Sequence, residues 1–306
     1  MSVMTIQPLL TEDYPVFLWF CQPNNTEDKI AVCGQEGVLS IFSAAKVSAG
    51  IVLSDRKDYN YHKQSVRRCA FSPDGKHIAA SCFDRELTIW AVDDPEKPIC
   101  KLNAHEADVK GIAWHPIEDT LISTSRDKKG LVYTPQNDEL TAFKVTGVLQ
   151  GNTQDVKVVE FSEDGSVVCT GGYDNSLRMY AADHDNVWEE LNSFSTDETV
   201  WDIVFNGDDI YAFATTFVYC VDYDLDLVWE TAFEERVVAG CMYTNAANEK
   251  YLCCCHGSSI SVINLKGEVV SVADVGSAQI NCVRPYHNGV IISNDLGQLF
   301  YIENCE

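Results

Sequence analysis

Short runs of alternating apolar and polar residues recur along the chain and are separated by turn residues. The clearest unit covers residues 105–133, with the sequence HEADVKGIAWHPIEDTLISTSRDKKGLVY. In it, one apolar strand ends at Trp114, a second strand ends in small hydroxyl residues at Ser125, and a turn at Asp127 precedes a third strand that closes on Tyr133. Strand-forming residues in runs of this length predict β-strands, and no long pattern with the helical period interrupts them. The pattern therefore predicts an all-β protein.

The same unit returns at a nearly constant spacing. The residues equivalent to Trp114, each placed just before a turn, are Phe71, Phe161 and Phe205, with weaker copies at Cys21, Tyr243 and Pro285. The spacing of the strong copies is close to the roughly 40–45 residues of one WD40 blade, which consists of four antiparallel strands. Seven copies in one chain predict a seven-bladed WD40 β-propeller that forms a single domain over residues 1–306.

Each copy predicts one blade of the ring. The predicted blades cover about residues 14–43, 61–92, 105–134, 148–181, 188–224, 228–264 and 267–303. The linker 44–60 is small and polar before it becomes charged, which predicts a surface loop. Residues 2–9 have the composition of a strand, and we expect them to add the outermost strand to the seventh blade. This addition closes the ring and removes its exposed sheet edges.

A buried chain of hydrogen bonds is expected within each regular blade. It joins a His before the first strand, a strand hydroxyl, the turn Asp and the closing aromatic residue, so that none of these polar groups is left unsatisfied. The predicted members are His62, Ser81, Asp84 and Trp90 in the second blade, His105 and Asp127 in the third, and Asp174 in the fourth. Asn152 replaces the His in the fourth blade, and the remaining blades are more degenerate.

Charge and cysteine usage narrow the class of protein. The 306 residues include 46 Asp and Glu against 22 Lys and Arg, a formal net charge of −24. This balance argues against nucleic acid and against an anionic membrane surface as the main partner, because both require concentrated positive charge. Thirteen Cys occur without a recognisable secretory signal, which favours reduced thiols in the cytoplasm or nucleus. The sequon at Asn24 is then expected to stay unglycosylated.

Signals of catalysis or metal binding are weak. The chain has no G-x-S-x-G, Gly-rich phosphate loop or C-x-x-C pair, and these carry the common nucleophile, phosphate and redox chemistries. His105-Glu106 lacks the second His of a helical zinc motif. In the Cys253–Cys255 run only alternate residues share one strand face, which favours an apolar strand over a metal site. We expect no enzyme activity, no cofactor and no metal. The alternative, an enzyme or small-ligand site in the central channel, would need convergent acid–base groups on the inner strands, and we find none in register.

A binding surface is predicted on one face of the ring. The residues that follow the repeat Val on the inner strands are Arg67, Lys110, Lys157 and Trp201, and the residues just before the turn Asp are Phe83, Arg126 and Tyr173. In a WD40 propeller these positions surround the channel on the top face. Exposed cations and aromatics together suit a partner that offers carboxylates and an aromatic or apolar side chain. Arg126 is the first candidate for such a contact. The alternative is that these cations only balance nearby acids such as Asp108 and Asp155.

The chain also resembles one WD40 family, the propeller of cytosolic iron–sulfur protein assembly. The matching stretches are VRRCAFSPDGKHIAASCFDRELTIW (66–90), HEADVKGIAWHPIEDTLISTSRDK (105–128), TQDVKVVEF with GGYDNSLRMY (153–180) and VWDIVF (200–205). The phrases SRDK and TQDVK are the most specific of these. The match covers the second to fifth blades, whereas the first, sixth and seventh blades depart from the family pattern.

This resemblance implies a non-catalytic adaptor that helps to deliver [4Fe–4S] clusters and does not hold the cluster itself. The implied partners are a small α/β assembly factor, a HEAT-repeat adaptor and apo iron–sulfur client proteins with acidic or aromatic tails. It implies client recognition on the top face, where the SRDK arginine corresponds to Arg126, and a monomer within a hetero-complex in the cytoplasm or nucleus. The alternative is a general WD40 adaptor in a ubiquitin ligase or a trafficking complex.

Overall fold

The computed structural model describes residues 4–10, 12–48, 50–184 and 187–303. These residues form seven antiparallel sheets of four strands each, together with one short 3-10 turn at Gln35–Gly37. No helix in these ranges reaches the length and apolar character that crossing a bilayer requires. The observed fold is an all-β, seven-bladed propeller.

The strands follow the chain in order. After β1 (Thr5–Pro8), the first blade contains β2 (Leu18–Pro23), β3 (Lys29–Gly34), β4 (Leu39–Val47) and β5 (Gly50–Asp58). The second blade contains β6 (Val66–Phe71), β7 (His77–Cys82), β8 (Leu87–Ala91) and β9 (Cys100–Leu102). The third contains β10 (Val109–Trp114), β11 (Leu121–Ser125), β12 (Gly130–Pro135) and β13 (Phe143–Leu149). The fourth contains β14 (Val156–Phe161), β15 (Val167–Gly172), β16 (Ser176–Ala182) and β17 (Trp188–Ser195).

The second half of the ring repeats this arrangement. The fifth blade contains β18 (Val200–Asn206), β19 (Asp209–Ala214), β20 (Phe217–Val221) and β21 (Leu227–Ala232). The sixth contains β22 (Val237–Thr244), β23 (Lys250–His256), β24 (Ser259–Ile263) and β25 (Val269–Asp274). The seventh contains β26 (Ile280–Tyr286), β27 (Gly289–Asn294) and β28 (Leu299–Glu303), and its fourth strand is β1.

The N-terminal strand closes the ring, which confirms the predicted closure. β1 pairs antiparallel with β28, from Thr5 opposite Glu303 to Pro8 opposite Phe300. The innermost strands β2 and β26 also contact each other, so the first and last blades are neighbours. Gln7 on β1 reaches further, because its amide donates to the Ile51 carbonyl at 2.7 Å and accepts from the Ile51 N–H at 2.9 Å. The seam is therefore held by a strand pairing and by a side-chain clip to the first blade.

Two expectations about boundaries were wrong. The predicted loop 44–60 consists mostly of strand, because β4 continues to Val47 and β5 occupies Gly50–Asp58. The last three predicted repeats, 188–224, 228–264 and 267–303, also begin one strand too early, so that β17, assigned to the fifth repeat, is the outer strand of the fourth sheet. Both errors concern outer strands. Most of their residues are exposed, so they lack the apolar runs that mark the nearly continuously buried inner strands.

The core lies between neighbouring blades. The closing aromatics Trp90, Tyr133 and Tyr180 are almost completely buried there. Cys253 and Cys255 face one apolar cluster and Cys254 faces another, as strand alternation predicts. Burial raises the pKa of the Cys254 thiol to about 12, so this run consists of protonated apolar side chains.

Candidate protein-binding surface

Every innermost strand contains a β-bulge directly after its first residue. The register shift leaves one residue unpaired in each blade. The unpaired residues are Trp19, Arg67, Lys110, Lys157, Trp201, Val238 and Asn281. A bulge turns its extra side chain out of the normal strand alternation. Since the seven innermost strands surround the channel, these residues form one circle at the end where the strands begin, which we call the strand-start ring.

An aromatic and cationic cluster occupies one side of the strand-start ring. The Lys157 ammonium nitrogen lies 4.2 Å from the ring centroid of Tyr173 and 4.7 Å from that of Trp201. The two aromatic rings meet edge to face at 5.7 Å. Arg236 also contacts Trp201, with its guanidinium carbon 3.8 Å from the ring centroid. The indole N–H of Trp201 donates to Thr215 at 3.2 Å, which fixes the ring. In this cluster, the Lys157 and Arg236 side chains therefore lie over aromatic rings, as in cation–π contacts, and one of these rings is fixed by a hydrogen bond.

Lys110 lies beside this cluster, but a carboxylate already balances its positive charge. Its ammonium is 2.5 Å from a carboxylate oxygen of Asp155, and its side chain is only 9% exposed. It also lies 5.4 Å from the Tyr173 ring and 6.0 Å from the Phe83 ring. This contact agrees with the alternative given in the sequence analysis, that Lys110 balances the charge of the nearby acid Asp155.

Arg67 and Arg126 have other surroundings. The Arg67 guanidinium carbon lies 5.5 Å from the Trp19 ring, and burial lowers its pKa to about 10. The side chain of Arg126 is 62% exposed and lies 3.8 Å from the carboxylate of Asp108. Among the described residues, no ring contact or hydrogen bond joins the Arg126 side chain to the Lys157 cluster. Arg126 therefore lies apart from the predicted residues that converge. A protein-binding role stays a prediction for all seven.

The Lys157 amine has an unusual environment. Burial lowers its pKa, and the neighbouring charges of Lys110 and Arg67 lower it further. Asp155 opposes this effect only in part, and the resulting pKa is about 6. Burial and the neighbouring positive charges make the protonated form of this amine less stable than it is in water. An additional negative group beside the amine would stabilise the protonated form.

Buried hydrogen bonds hold the loops that carry the site. In the third blade, His105 lies 2.8 Å from Asp127 through Nδ1 and 2.7 Å from Ser123 through Nε2, and the Ser123 hydroxyl donates to Tyr133 at 3.4 Å. Burial raises the pKa of Asp127, but the hydrogen bond and charge of His105, together with the N–H groups of Glu106 and Lys129, outweigh burial and lower the pKa. Because Asp127 follows Arg126 directly, the network fixes the backbone of that turn.

The second blade uses a different hydroxyl from the one expected. His62 lies 2.7 Å from Asp84 through Nδ1 and 2.9 Å from Thr88 through Nε2, and Trp90 donates to Thr88 at 3.0 Å. The prediction of Ser81 was wrong, since Ser81 bonds the backbone of the first strand instead. Ala80 occupies the position that Ser123 has in the third blade, and Thr88 lies opposite Ala80 on the next strand, so the second blade takes its hydroxyl from the third strand instead of the second.

The hydrogen bonds of His62 also decide whether a metal ion could bind in the second blade. Ligand atoms of His62, Cys82 and Asp84 lie within 4.8 Å of one another. However, both ring nitrogens of His62 already take part in hydrogen bonds, with Asp84 and Thr88. A metal ion could bind there only by breaking the blade network.

The fourth blade has a partial network. The Asn152 amide donates to the Tyr180 hydroxyl at 3.2 Å and accepts from Thr170 at 3.4 Å. Asp174 instead accepts from the Thr153 N–H at 3.0 Å and from Ser176 at 2.7 Å. The Asp therefore still ties the loop before the first strand to the turn that carries Tyr173, without a His between them.

A charged cluster that the sequence analysis missed fills the middle of the channel. Asp202 accepts from Arg68 at 2.6 Å and from Arg284 at 2.9 Å, and the Gly240 N–H points to it at 3.3 Å. Both guanidinium groups lie against the ring of Phe20, at 4.8 Å and 4.5 Å. The cluster joins the second, fifth and seventh blades across the channel.

A cavity of about 360 Å³ lies on the far side of this cluster, lined in part by Glu160 and Arg284. Burial raises the pKa of Glu160 to about 7, against the opposing effect of Arg68 and Arg284. The expectation that the inner strands carry no convergent charged groups was therefore wrong. The repeat pattern does not predict these residues, because the residue at this strand position differs from blade to blade. The one sequence feature that could have indicated this cluster is a charged residue at a position of the innermost strand that faces the channel.

The two faces of the ring differ in charge. The turns at the ends of the innermost strands carry many acids, which are Glu27, Asp28, Asp74, Glu118, Asp119, Glu163, Asp164, Asp208 and Asp209. We call this side the strand-end face. The cationic cluster lies on the opposite face, whose loops also carry acids such as Asp108, Asp155 and Glu235. The positive charge that can attract an acidic segment is therefore local to the cluster.

Comparison with known proteins agrees with this repeat architecture. A model of the WD domain, G-beta repeat, matches residues 54–91, 96–133 and 143–180. The ribosome biogenesis protein WDR12 homolog of Drosophila erecta is 26% identical over 123 residues, which cover 39% of this chain and 29% of that protein.

Two further relatives match shorter stretches. The U5 small nuclear ribonucleoprotein 40 kDa protein of Pongo abelii is 37% identical over 71 residues, which cover 23% of this chain and 19% of that protein. WD repeat-containing protein 1 of Gallus gallus is 36% identical over 99 residues, which cover 32% and 15%. The chain spans less than a third of the length of these three curated relatives. None of the three is named for iron–sulfur protein assembly.

Proposed function

We propose, from the premise that this chain is a WD40-repeat β-propeller, that it is a non-catalytic scaffold whose strand-start ring binds acidic segments of partner proteins. The observation that carries the proposal is the gathering of Lys157, Arg236, Tyr173 and Trp201 at one mouth of the channel in a chain with a net charge of −24. Charged and aromatic residues presented on loops of a rigid scaffold are typical of binding surfaces.

The chemistry of the cluster defines the partner. Tyr173 is 36% exposed and offers an aromatic surface that an apolar or aromatic side chain can cover. Arg236, whose guanidinium carbon lies 3.8 Å from the Trp201 ring centroid, supplies positive charge beside that surface, and Lys157, 4.2 Å from the Tyr173 ring centroid, adds positive charge when it is protonated. An Arg can hold a carboxylate through two parallel hydrogen bonds. A short segment that combines carboxylates with one aromatic residue therefore fits this site.

The complex to which the scaffold belongs has three candidate classes. The SRDK and TQDVK motifs favour cytosolic iron–sulfur protein assembly, with a small α/β assembly factor, a HEAT-repeat adaptor and apo-client proteins as partners. TQDVK contains Lys157 itself, so this resemblance covers the candidate site. The names of the relatives point instead to ribosome biogenesis and to the U5 ribonucleoprotein, which are nuclear assemblies. A general adaptor role, as in a ubiquitin ligase or trafficking complex, is compatible with the same surface.

Affinity purification with quantitative identification of partners tests the proposal. A double variant, Lys157→Glu with Trp201→Ala, should lose most partners captured by the unchanged chain, while Arg126→Glu should lose fewer because it lies outside the cluster. Lys76→Glu serves as the matched control, because its side chain is 78% exposed on the strand-end face. Undiminished capture by the double variant would overturn the proposal.

The identities of the captured proteins then distinguish the complexes. Iron–sulfur enzymes and assembly factors support the first class, ribosome assembly or splicing factors support the second, and ligase or coat subunits support a general adaptor. A chain that captures small metabolites and no proteins would favour the channel-ligand alternative.

A further inference from the structure

Two lysines at the same structural position have different counter-charges. Lys110 and Lys157 are the bulged residues of neighbouring innermost strands. The Lys110 ammonium has a carboxylate of Asp155 at 2.5 Å. Lys157 makes no hydrogen bond or ion pair with any described residue, and its nitrogen faces the rings of Tyr173 and Trp201. The Lys110 side chain therefore has a carboxylate partner, whereas the Lys157 side chain has none among the described residues.

The groups around Lys157 are mostly positive. The charged groups that face it are Arg67 on β6, Lys110 on β10, Asp155 before β14 and Arg236 before β22. The one carboxylate in this set is the partner of Lys110. The faces of Tyr173 and Trp201 favour an ammonium, but they do not supply the negative charge that three neighbouring cations and partial burial demand.

We propose that Lys157 is the anion receptor of the strand-start ring and that a partner carboxylate binds there together with one proton. This inference rests on the proposed function and names the chemistry and the pH dependence of the same site. In the free ring, Lys157 is a neutral amine. When the carboxylate arrives, the amine takes up a proton from solvent, and an ammonium–carboxylate pair forms over the two aromatic rings.

The titration of the neighbouring groups agrees with this scheme. The pKa of Lys157 is about 6 in the free protein, because of burial and of the charges of Lys110 and Arg67. The pKa of Arg67 is about 10, so its charge does not change between pH 6.5 and 8.5. A carboxylate beside Lys157 raises the pKa of the amine. Affinity should therefore fall by about tenfold for each pH unit above the free pKa, the limit for one linked proton.

Calorimetry of the full chain tests the linkage. The probe is a synthetic peptide of Asp and Glu residues around one Phe, acetylated and amidated so that only side-chain carboxylates are present. At pH 7.5, titrations in phosphate and in Tris should differ in heat by an amount that corresponds to nearly one proton taken up per peptide. Lys157→Arg keeps the charge without a titrating amine, so it should bind the peptide with no proton uptake. Lys76→Arg, on the strand-end face, is the matched control and should retain both the binding and the uptake.

The outcomes separate this inference from the proposed function. Peptide binding with equal heats in both buffers and an affinity independent of pH would overturn the inference and leave the proposed function standing. Failure of the unchanged chain to bind the peptide at pH 6.5 would overturn both.

A second measurement does not depend on the Lys157→Arg variant. Limiting acetic anhydride at pH 7 should acetylate a neutral Lys157 ahead of the exposed Lys76, and the peptide should protect it. Acetylation of Lys157 no faster than that of Lys76 contradicts a neutral amine in the free ring.

Discussion

Replacing Asp202 by Asn should destabilise the propeller strongly. Asp202 is almost completely buried and accepts hydrogen bonds from Arg68 and Arg284. Asn preserves the volume but removes the negative charge, so two enclosed guanidinium groups lose their counter-charge. Breaking a buried ion pair on one side typically costs about 3–5 kcal/mol. Because domain stabilities are about 5–15 kcal/mol in total, the free energy of unfolding should fall by a large fraction.

Urea unfolding followed by tryptophan fluorescence measures this cost, since the chain contains six Trp. Asp208→Asn on the exposed strand-end face is the matched control and should change the free energy of unfolding by no more than about 0.5 kcal/mol. Adding Arg68→Met to Asp202→Asn removes one uncompensated cation and should recover part of the loss. A loss below about 1 kcal/mol for Asp202→Asn would refute the reasoning that the cluster is a buried, mutually dependent ion network.

The pH dependence of stability gives an independent check on Asp202. Burial raises its pKa, but Arg284 and Arg68 lower it more strongly, so the folded pKa lies below the ordinary value of 3.8. The contribution of this carboxylate is then fully present above the unfolded pKa and is lost as the pH falls through the folded pKa. Acidification below about pH 4 should therefore destabilise the unchanged chain more than Asp202→Asn.

Three further predictions concern the seam and the blade networks. Gln7→Ala removes both hydrogen bonds to Ile51 and should cost about 1–2 kcal/mol, with faster amide exchange in β1 and β5; unchanged exchange there would contradict a clip at the seam. Thr88→Val leaves His62 and Trp90 without their shared hydroxyl and should lower the free energy of unfolding by about 2 kcal/mol in urea, whereas no loss would mean that Thr88 is not the network hydroxyl. The lowered pKa of Asp127 predicts stability that is present above about pH 4 and lost on further acidification, so thermal unfolding of Asp127→Asn should show a weaker acid dependence; an equal dependence would contradict this role.

The sequence predicted the ring and its closure because the inner three strands of each blade are buried at nearly every position, so they form short apolar runs bounded by turn residues. The outer strands could not be placed in the same way. Leu227 and Val228 are both largely exposed, so consecutive residues of β21 carry no information about which side faces the core. Because the exposed outer strands have no clear apolar pattern, the boundaries between the later repeats were placed one strand away from the boundaries between the sheets.

The candidate site was predictable only where it follows the repeat. Lys157 and Trp201 were found because they come directly after a repeat Val, and the bulges explain why that position matters. Trp19 and Arg236 belong to the same surface but lie in a degenerate blade and in a loop outside the repeat pattern. Arg126 was also predicted from its position in the repeat, but that position does not determine the direction of a long, exposed side chain, and its binding role stays a prediction.

The central claim is that partners bind at the strand-start ring, and hydrogen–deuterium exchange of the propeller with and without a captured partner tests it most directly. The account predicts that partner binding slows exchange in residues 153–157, 173–175, 198–202 and 234–238, which carry the Lys157 cluster. Protection confined to the strand-end turns, such as residues 72–76 and 115–120, would contradict it.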